Sequence, residues 1–342
     1  MPTIVVHPGS LVFVTGVNGL VGSHIVDQLL SRGYNVRGAV RNVEKSQWLK
    51  EYFDSKGYEA KFDLVSVPDM TTEGCYDEVV KGAAGIIHVA SPLNGDDPNI
   101  AIPLAVNGAL NALTAASKAN SVKRVVYTSS SIAATYPRPN EVFEINDQSW
   151  NEEGVEKGWK NEEGEAKGWN IYAALKTEAE KQACWKWVQE NKPSFNFVSV
   201  LPNCNFGKVL VPEKQGEPST IAWAKSAFTG QGFDRLKRVV TAQYFVSNQD
   251  CALVHVSALI HEDVKNERLL AFAEPYNWTK VLGVYKGLYP ERQFPDPVEG
   301  EGVDKSVVKK GRAEDVLKWV KPEGQGWDGL EGALKEMSAQ WV

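Results

Sequence analysis

Residues 10–22 read Ser10-Leu11-Val12-Phe13-Val14-Thr15-Gly16-Val17-Asn18-Gly19-Leu20-Val21-Gly22. The first six positions are a short β-branched and apolar run that stops at Gly16, the pattern of a buried strand. After Gly19 the period changes. Val21, Ile25, Leu29 and Leu30 recur at helical spacing up to Gly33. A second strand is expected over 35–40, so strand, helix and strand fit in about 30 residues, the dimensions of a βαβ unit. Gly16, Gly19 and Gly22 fall on the strand-to-helix turn. There the backbone must bend sharply, an anion must approach the main chain, and the helix must pack close to the strand. The helix start offers unpaired N–H groups to that anion. The context predicts a dinucleotide site built by Thr15, Gly16, Asn18, Gly19, Leu20, Val21 and Gly22.

The end of the second strand reports on the adenosine ribose. An NAD site usually carries Asp or Glu there, accepting from the 2′-hydroxyl. The run Val36-Arg37-Gly38-Ala39-Val40-Arg41 carries none. Arg41 can fork onto a 2′-phosphate, with Arg37 or Lys45 adding charge. The cofactor expected is therefore NADP(H).

Downstream, strands are expected over 61–67, 86–90, 124–128 and 195–201, with helices over 104–118 and 173–191. Strands apolar on both faces that alternate with helices imply a parallel sheet covered on both sides. The fold class expected is α/β, a Rossmann doubly wound parallel sheet with a smaller C-terminal substrate-binding lobe. Residues 1–202 form the NADP-binding domain, part of 240–265 returns to it, and 203–342 is mainly the lobe.

Tyr172-Ala173-Ala174-Leu175-Lys176 places a phenol and an ammonium four residues apart, on one helical face. A free tyrosine titrates near pH 10 and exchanges protons poorly at neutrality. A neighbouring ammonium favours its phenolate. The strand Val125-Val126-Tyr127-Thr128 ends in Ser129-Ser130-Ser131. Ligands gather at the carboxyl ends of parallel strands, and a serine there can bond a carbonyl oxygen as it gains charge.

The order Thr15-Gly16-x-x-Gly19-x-x-Gly22, His88-Val89-Ala90-Ser91-Pro92, Thr128-Ser129-Ser130 and Tyr172-x-x-x-Lys176 resembles the extended short-chain dehydrogenase/reductases. Within them it is similar to the dihydroflavonol reductase-like branch, which includes the fungal NADPH-dependent aldehyde/ketone reductases of the Sporobolomyces type. The resemblance covers most of the chain and is weakest at 151–169 and beyond 300. It implies carbonyl reduction with Tyr172 as proton donor, Lys176 as its tuner and Ser130 holding the carbonyl. It also implies adenine contact at Asp69 and Met70, a cofactor wall at Ala90, Ser91 and Pro92, and Pro202 and Asn203 beside the nicotinamide. Asn107 falls where some extended members keep a proton-relay asparagine. Leu93, Trp223, Gln243 and Tyr244 are candidate walls of a substrate pocket, and related fungal enzymes suggest a monomer or weak dimer. Two other readings share the fold. A nucleotide-sugar epimerase or dehydratase usually keeps NAD bound and an acid at the second strand. A non-catalytic NADP-binding regulator commonly loses the tyrosine or the lysine.

The bulk properties remove other classes. Net charge is −6 with 23% charged residues, which does not suit neutralising nucleic-acid phosphates. Cys75, Cys184, Cys204 and Cys251 lack metal-ligand spacing and read as free thiols in a reducing compartment, and the five histidines show no ligand pattern. No metal is expected. No signal peptide or membrane-length apolar run is evident, so a cytoplasmic location is expected. Asn151-Glu152-Glu153-Gly154…Lys157-Gly158-Trp159 recurs ten residues on as Asn161-Glu162-Glu163-Gly164…Lys167-Gly168-Trp169. It reads as a duplicated surface loop or, because it ends just before Tyr172, a lid.

Overall fold

The computed structural model describes residues 3–92 and 95–342. The opening stretch folds as its period dictates, into β1 (Leu11–Thr15), α1 (Leu20–Leu30) and β2 (Asn35–Val40). The alternation continues through α2 (Gln47–Asp54), β3 (Phe62–Ser66), β4 (Ala83–His88), α3 (Pro98–Lys118) and β5 (Arg124–Thr128). After the two-residue β6 (Glu144–Ile145) come α4 (Glu152–Lys160) and α5 (Lys167–Glu178). A π-helical turn, Ala179–Trp185, joins α5 to α6 (Lys186–Asn191), and β7 (Asn196–Pro202) follows. Seven strands form one sheet in the order β10-β7-β5-β4-β1-β2-β3, where β10 is Glu267–Ala271. Every pairing in it is parallel. Val12, Val14, Ile87, Val126 and Val198 are fully buried within it, as strands covered on both faces require. Strand order reverses between β1 and β4, and a crevice for ligands opens at the carboxyl ends of such a switch point.

The second unit packs at that end. β8 (Cys204–Phe206), β9 (Gln243–Ser247) and β11 (Glu274–Tyr276) form a three-stranded sheet. Phe206, Phe228, Phe245, Trp278 and Tyr285 are the large side chains of its core, and Leu20 from α1 is buried among them. The glycine turn is thereby tied to the lobe.

The chain returns to the main sheet further along than 240–265. Helix α10 (Asn248–Ile260) is buried on every side, β10 pairs with β7, and α12 (Gly311–Val320) buries Ala313, Val316 and Leu317 in the same core. Without β10, β7 would present an open edge, and without α12 the outer face of α10 would be bare apolar surface.

The duplicated segment is a loop only over 161–166, which is mostly exposed; the rest is helical. Asn151 caps α4, its Oδ1 accepting from the N–H of Gly154 at 2.8 Å. Asn161, the first residue of the second copy, ends α4 in the left-handed conformation. The last three residues of the second copy, Lys167 to Trp169, begin α5. The first copy's glycines let the two helices touch: a Cβ on Gly158 would lie 2.3 Å from Cβ of Ala174, whereas Gly164 and Gly168 of the second copy have nothing within 4 Å. Composition suggested a solvated loop, which describes 161–166, while Gly154 and Gly158 serve close helix packing.

Helix α3 differs from expectation as well. It begins at Pro98 behind an Asp97 cap. By length and composition it is the one helix among the described residues that could cross a membrane, with mean hydropathy 1.4. In this fold half of that window is buried, its alanines against the sheet.

Candidate active site

The site forms where β1, β4 and β5 end. Thr15 Oγ1 accepts from the N–H groups of Val89 and Ala90, both at 3.0 Å. Its own proton is therefore directed at Nδ1 of His88, 3.0 Å away. Burial, with a smaller contribution from the charge of Lys176, holds His88 down to about 3, so it is a neutral acceptor. This arrangement locks the wall Val89-Ala90 against the glycine turn.

Ser130 lies two residues beyond Thr128, half-buried, at the start of a single 3₁₀ turn. Its hydroxyl is a hydrogen-bonding neighbour of the Tyr172 phenol. Ser129 is committed elsewhere, donating to Glu180 at 2.6 Å. Lys176 is buried one turn along α5 from Tyr172 and donates to the carbonyl of Thr128 at 3.1 Å. Thr128 is held in turn by its hydroxyl on Nε2 of His255, at 2.9 Å.

The electrostatics depart from the expected tuning. Burial raises the Tyr172 phenol above its ordinary value, and only the Ser130 hydroxyl pulls it back. Burial pushes Lys176 down to about 8, with Glu180 opposing. In the free chain the ammonium is directed at the Thr128 carbonyl.

Glu180 escaped sequence reasoning. It is fully buried and accepts from Ser129, from Ser199 at 2.6 Å and from Arg268 Nε at 2.7 Å. Burial pushes its carboxyl up, but Arg268 and the two serines more than offset that and keep it below the ordinary value. Its signal was the spacing Tyr172, Lys176, Glu180, three positions on one helical face.

The glycine turn suits a pyrophosphate. Gly16 has φ of +68°, and a Cβ there would lie 2.9 Å from the N of Ala90. A Cβ on Gly22 would lie 2.1 Å from the carbonyl oxygen of Gly16. The first turn of α1 has neither a side-chain cap nor an acid, so its N–H groups at Leu20, Val21 and Gly22 face an open cradle. Gln215 of α7 (Pro212–Gln215) reaches over this turn to the carbonyls of Asn18 and Gly19, both at 3.3 Å. These features fit a dinucleotide.

The remaining candidates fall as follows. Arg41 and Lys45 are exposed past the end of β2 and make no side-chain hydrogen bond among the described residues. Arg37 is not available with them: its guanidinium donates to the carbonyls of Val79 and Lys81 at 2.7 and 2.9 Å. Asp69 is exposed and folded onto Thr71, while Met70 packs against Gly108 of α3. Ser91 and Pro92 continue from Ala90, and Leu93 lies outside the described residues. Pro202 ends β7, and Asn203 turns its Oδ1 to the N–H of Cys204. Asn107 is exposed on α3. Gln243 is buried and lines a cleft of about 440 Å³ with Tyr136, Trp169, Asn170 and Thr241. Trp223, on α8 (Thr220–Thr229), meets Trp169 edge-on at 5.9 Å. Tyr244 is no wall of this cleft. Alternation along β9 turns it the other way, where its ring packs on Phe272 and its hydroxyl donates to Ser306. Among the described residues no group of three or more His, Cys, Asp or Glu converges as a metal site, and all four cysteines are free.

Comparison with known proteins follows the same lines. The profile of the NAD dependent epimerase/dehydratase family matches residues 12–270. The chain is 39% identical to aldehyde reductase 2 of Sporidiobolus salmonicolor, over 97% of this chain and 96% of that one. It is 38% identical to the ketoreductase adrE of Penicillium roqueforti, over 97% and 96%. In fold it is similar to yeast methylglyoxal/isovaleraldehyde reductase Gre2 complexed with NADPH, with a TM-score of 0.80 at 24% identity, covering 96% of this chain and 97% of that one.

Proposed function

We propose, for a chain that belongs to the NAD dependent epimerase/dehydratase family, the NADPH-dependent reduction of a ketone or aldehyde to an alcohol. The reading rests on one observation: the Ser130 hydroxyl and the Tyr172 phenol share one place at the end of β5, with Lys176 buried one turn along α5. Relatives named for aldehyde and ketone reduction span nearly the whole chain. The glycine turn would hold the pyrophosphate, Arg41 and Lys45 the 2′-phosphate, Asp69 and Met70 the adenine, and Ala90 to Pro92 with Pro202 and Asn203 the nicotinamide side. Bound there, NADPH supplies the hydride for the carbonyl carbon.

Ser130 donates a hydrogen bond to the substrate oxygen, where negative charge develops. Tyr172 transfers the proton from Oη to that oxygen. Its raised pKa suits a proton donor, because the phenol stays protonated at neutral pH. Lys176, on the same helical face, is the cation that steadies the phenolate left behind.

Purified protein should oxidise NADPH when given α- or β-keto esters, aryl ketones or methylglyoxal; inertness toward the whole panel contradicts the proposal. Arg41→Ala should raise KM for NADPH by about 10-fold or more and leave NADH nearly unaffected. Equal weakening of both would remove Arg41 from the 2′-phosphate site.

Lys176 also sets a pH dependence. As pH rises through about 8 the free enzyme loses this ammonium, so kcat/KM for reduction should fall on that limb. The folded value lies below the unfolded lysine value of about 10.4. The folded state therefore binds fewer protons, and this group's contribution to stability increases as pH rises from about 8 toward that value. A pH–rate profile that stays flat past pH 9 would contradict the role.

A further inference from the structure

Two ionised side chains are enclosed beside the catalytic residues, and the chemistry proposed above uses neither. Glu180 and Arg268 pair at 2.7 Å, with side chains 0% and 4% exposed. Taking a carboxylate out of water is costly unless a cation and hydrogen bonds replace its hydration. Here they do. The two oxygens of Glu180 accept from Ser129, Ser199, Trp185 Nε1 at 3.3 Å, and both Nε and Nη2 of Arg268. Arg268 has donors to spare. Its Nη1 donates to the carbonyls of Asp147 and Ser149 at 2.9 and 2.6 Å, and its guanidinium lies 3.7 Å from the centre of the Trp150 ring.

These contacts close a ring around Ser130. Ser129 is its chain neighbour. Asn151, next to Trp150, donates from Nδ2 to the carbonyl of Ile132 at 2.8 Å and from its main-chain N–H to that of Ala133 at 3.0 Å. Both carbonyls belong to the 3₁₀ turn that follows Ser130. Glu180 also lies one turn beyond Lys176 on the same helical face, and both are buried. The other titratable groups that face Lys176 are uncharged at neutral pH. Burial holds His88 of β4 down to about 3 and His255 of α10 down to about 4. It keeps Tyr127 of β5 and Cys184 protonated, well above their ordinary values, and raises Tyr172 as well. Glu180 thus supplies the negative charge that faces the ammonium.

We propose that Glu180 is a positioning residue for the reduction: its carboxylate is the counter-charge of the Lys176 ammonium, and through Ser129 it fixes the strand end that carries Ser130. The proposal rests on the carbonyl-reductase reading and adds a residue to it. Glu180 is enclosed and acts through its neighbours, not on the carbonyl. A negative charge beside a lysine favours the ammonium. Without Glu180, Lys176 therefore loses its proton at lower pH, a change that a loss of packing alone does not produce.

The test is the pH profile of kcat/KM for the full chain, with NADPH and the panel compound that the wild type reduces best. Glu180→Gln should move the alkaline limb, expected near pH 8 in the wild type, about one pH unit lower. Should Arg268, left without its partner, unfold that variant, Glu180→Gln with Arg268→Met removes both charges together. Buried ion pairs tolerate such a replacement, and the limb should move in the same direction. Ser129→Ala keeps both charges and loses one hydroxyl. It should lower kcat by about 10-fold, leave KM for NADPH nearly unmoved and leave the limb in place. A limb that stays near pH 8 without Glu180 overturns the counter-charge, and a wild-type kcat in Ser129→Ala overturns the hold on Ser130. A wild-type chain inert toward every carbonyl compound overturns the reductase reading and the proposal with it, whereas an active wild type with unmoved variants overturns the proposal alone.

Discussion

Tyr172→Phe should lower the single-turnover rate of carbonyl reduction by about 10²–10⁴-fold, the usual contribution of a positioned proton donor. NADPH binding and thermal stability change little. The substitution removes one oxygen and leaves the ring that stacks on Trp169. Among the described residues the hydroxyl has no partner to lose beyond its neighbour Ser130, which also accepts from the N–H of Ile132. The effect is therefore on chemistry and not on packing. A stopped-flow trace of NADPH absorbance under single-turnover conditions measures it. A variant with the wild-type rate would refute Tyr172 as the acid, because a phenyl ring has no proton to give.

The second large effect is at the cofactor cradle. Gly22→Val should weaken NADPH binding by about 100-fold and cost about 1–3 kcal/mol of stability through overpacking. The atom that a Cβ would strike is the main-chain oxygen of Gly16, not the flexible end of a side chain. Relief requires the start of α1 to move away from the turn. That movement separates the first-turn N–H groups from the pyrophosphate and disturbs Leu20, which is packed in the lobe core. Gly19→Ala, whose Cβ would meet the same oxygen at 3.3 Å, should be milder in both respects. Fluorescence titration with NADPH and thermal unfolding distinguish the two variants, and equal affinities across wild type, Gly19→Ala and Gly22→Val would remove the turn from the cofactor site.

Much of this was legible in the chain because the signals are local. A strand apolar on both faces, a glycine turn and a helix-period switch lie within 10–33, and they fix the first βαβ unit without reference to anything distant. Tyr172 and Lys176 are likewise a local pair, related by a helical turn. What could not be read depends on contacts between distant segments. Arg37 looked as available as Arg41, until Val79 and Lys81 supplied carbonyls for its guanidinium. Tyr244 and Gln243 are adjacent, yet strand alternation sends one to Phe272 and the other into the cleft. The first copy of the glycine-rich repeat looked as solvated as the second, because the packing partners of Gly154 and Gly158, Ala173 and Ala174, lie beyond it in sequence. Glu180 became visible only when β5, β7 and β10 brought Ser129, Ser199 and Arg268 around it. Nor does the sequence proximity of Tyr172 and Lys176 reveal that the ammonium donates to Thr128, or how deeply the phenol is desolvated.

The central step proposed for this site is transfer of a hydride from NADPH to a carbonyl carbon. Incubating the full chain with an aryl ketone and NADPH dideuterated at C4, then analysing the product by mass spectrometry and NMR, tests it most directly. One deuterium is expected on the carbinol carbon of the alcohol for each NADPH oxidised. An alcohol without deuterium, or a ketone recovered unchanged beside unconsumed NADPH, would contradict it.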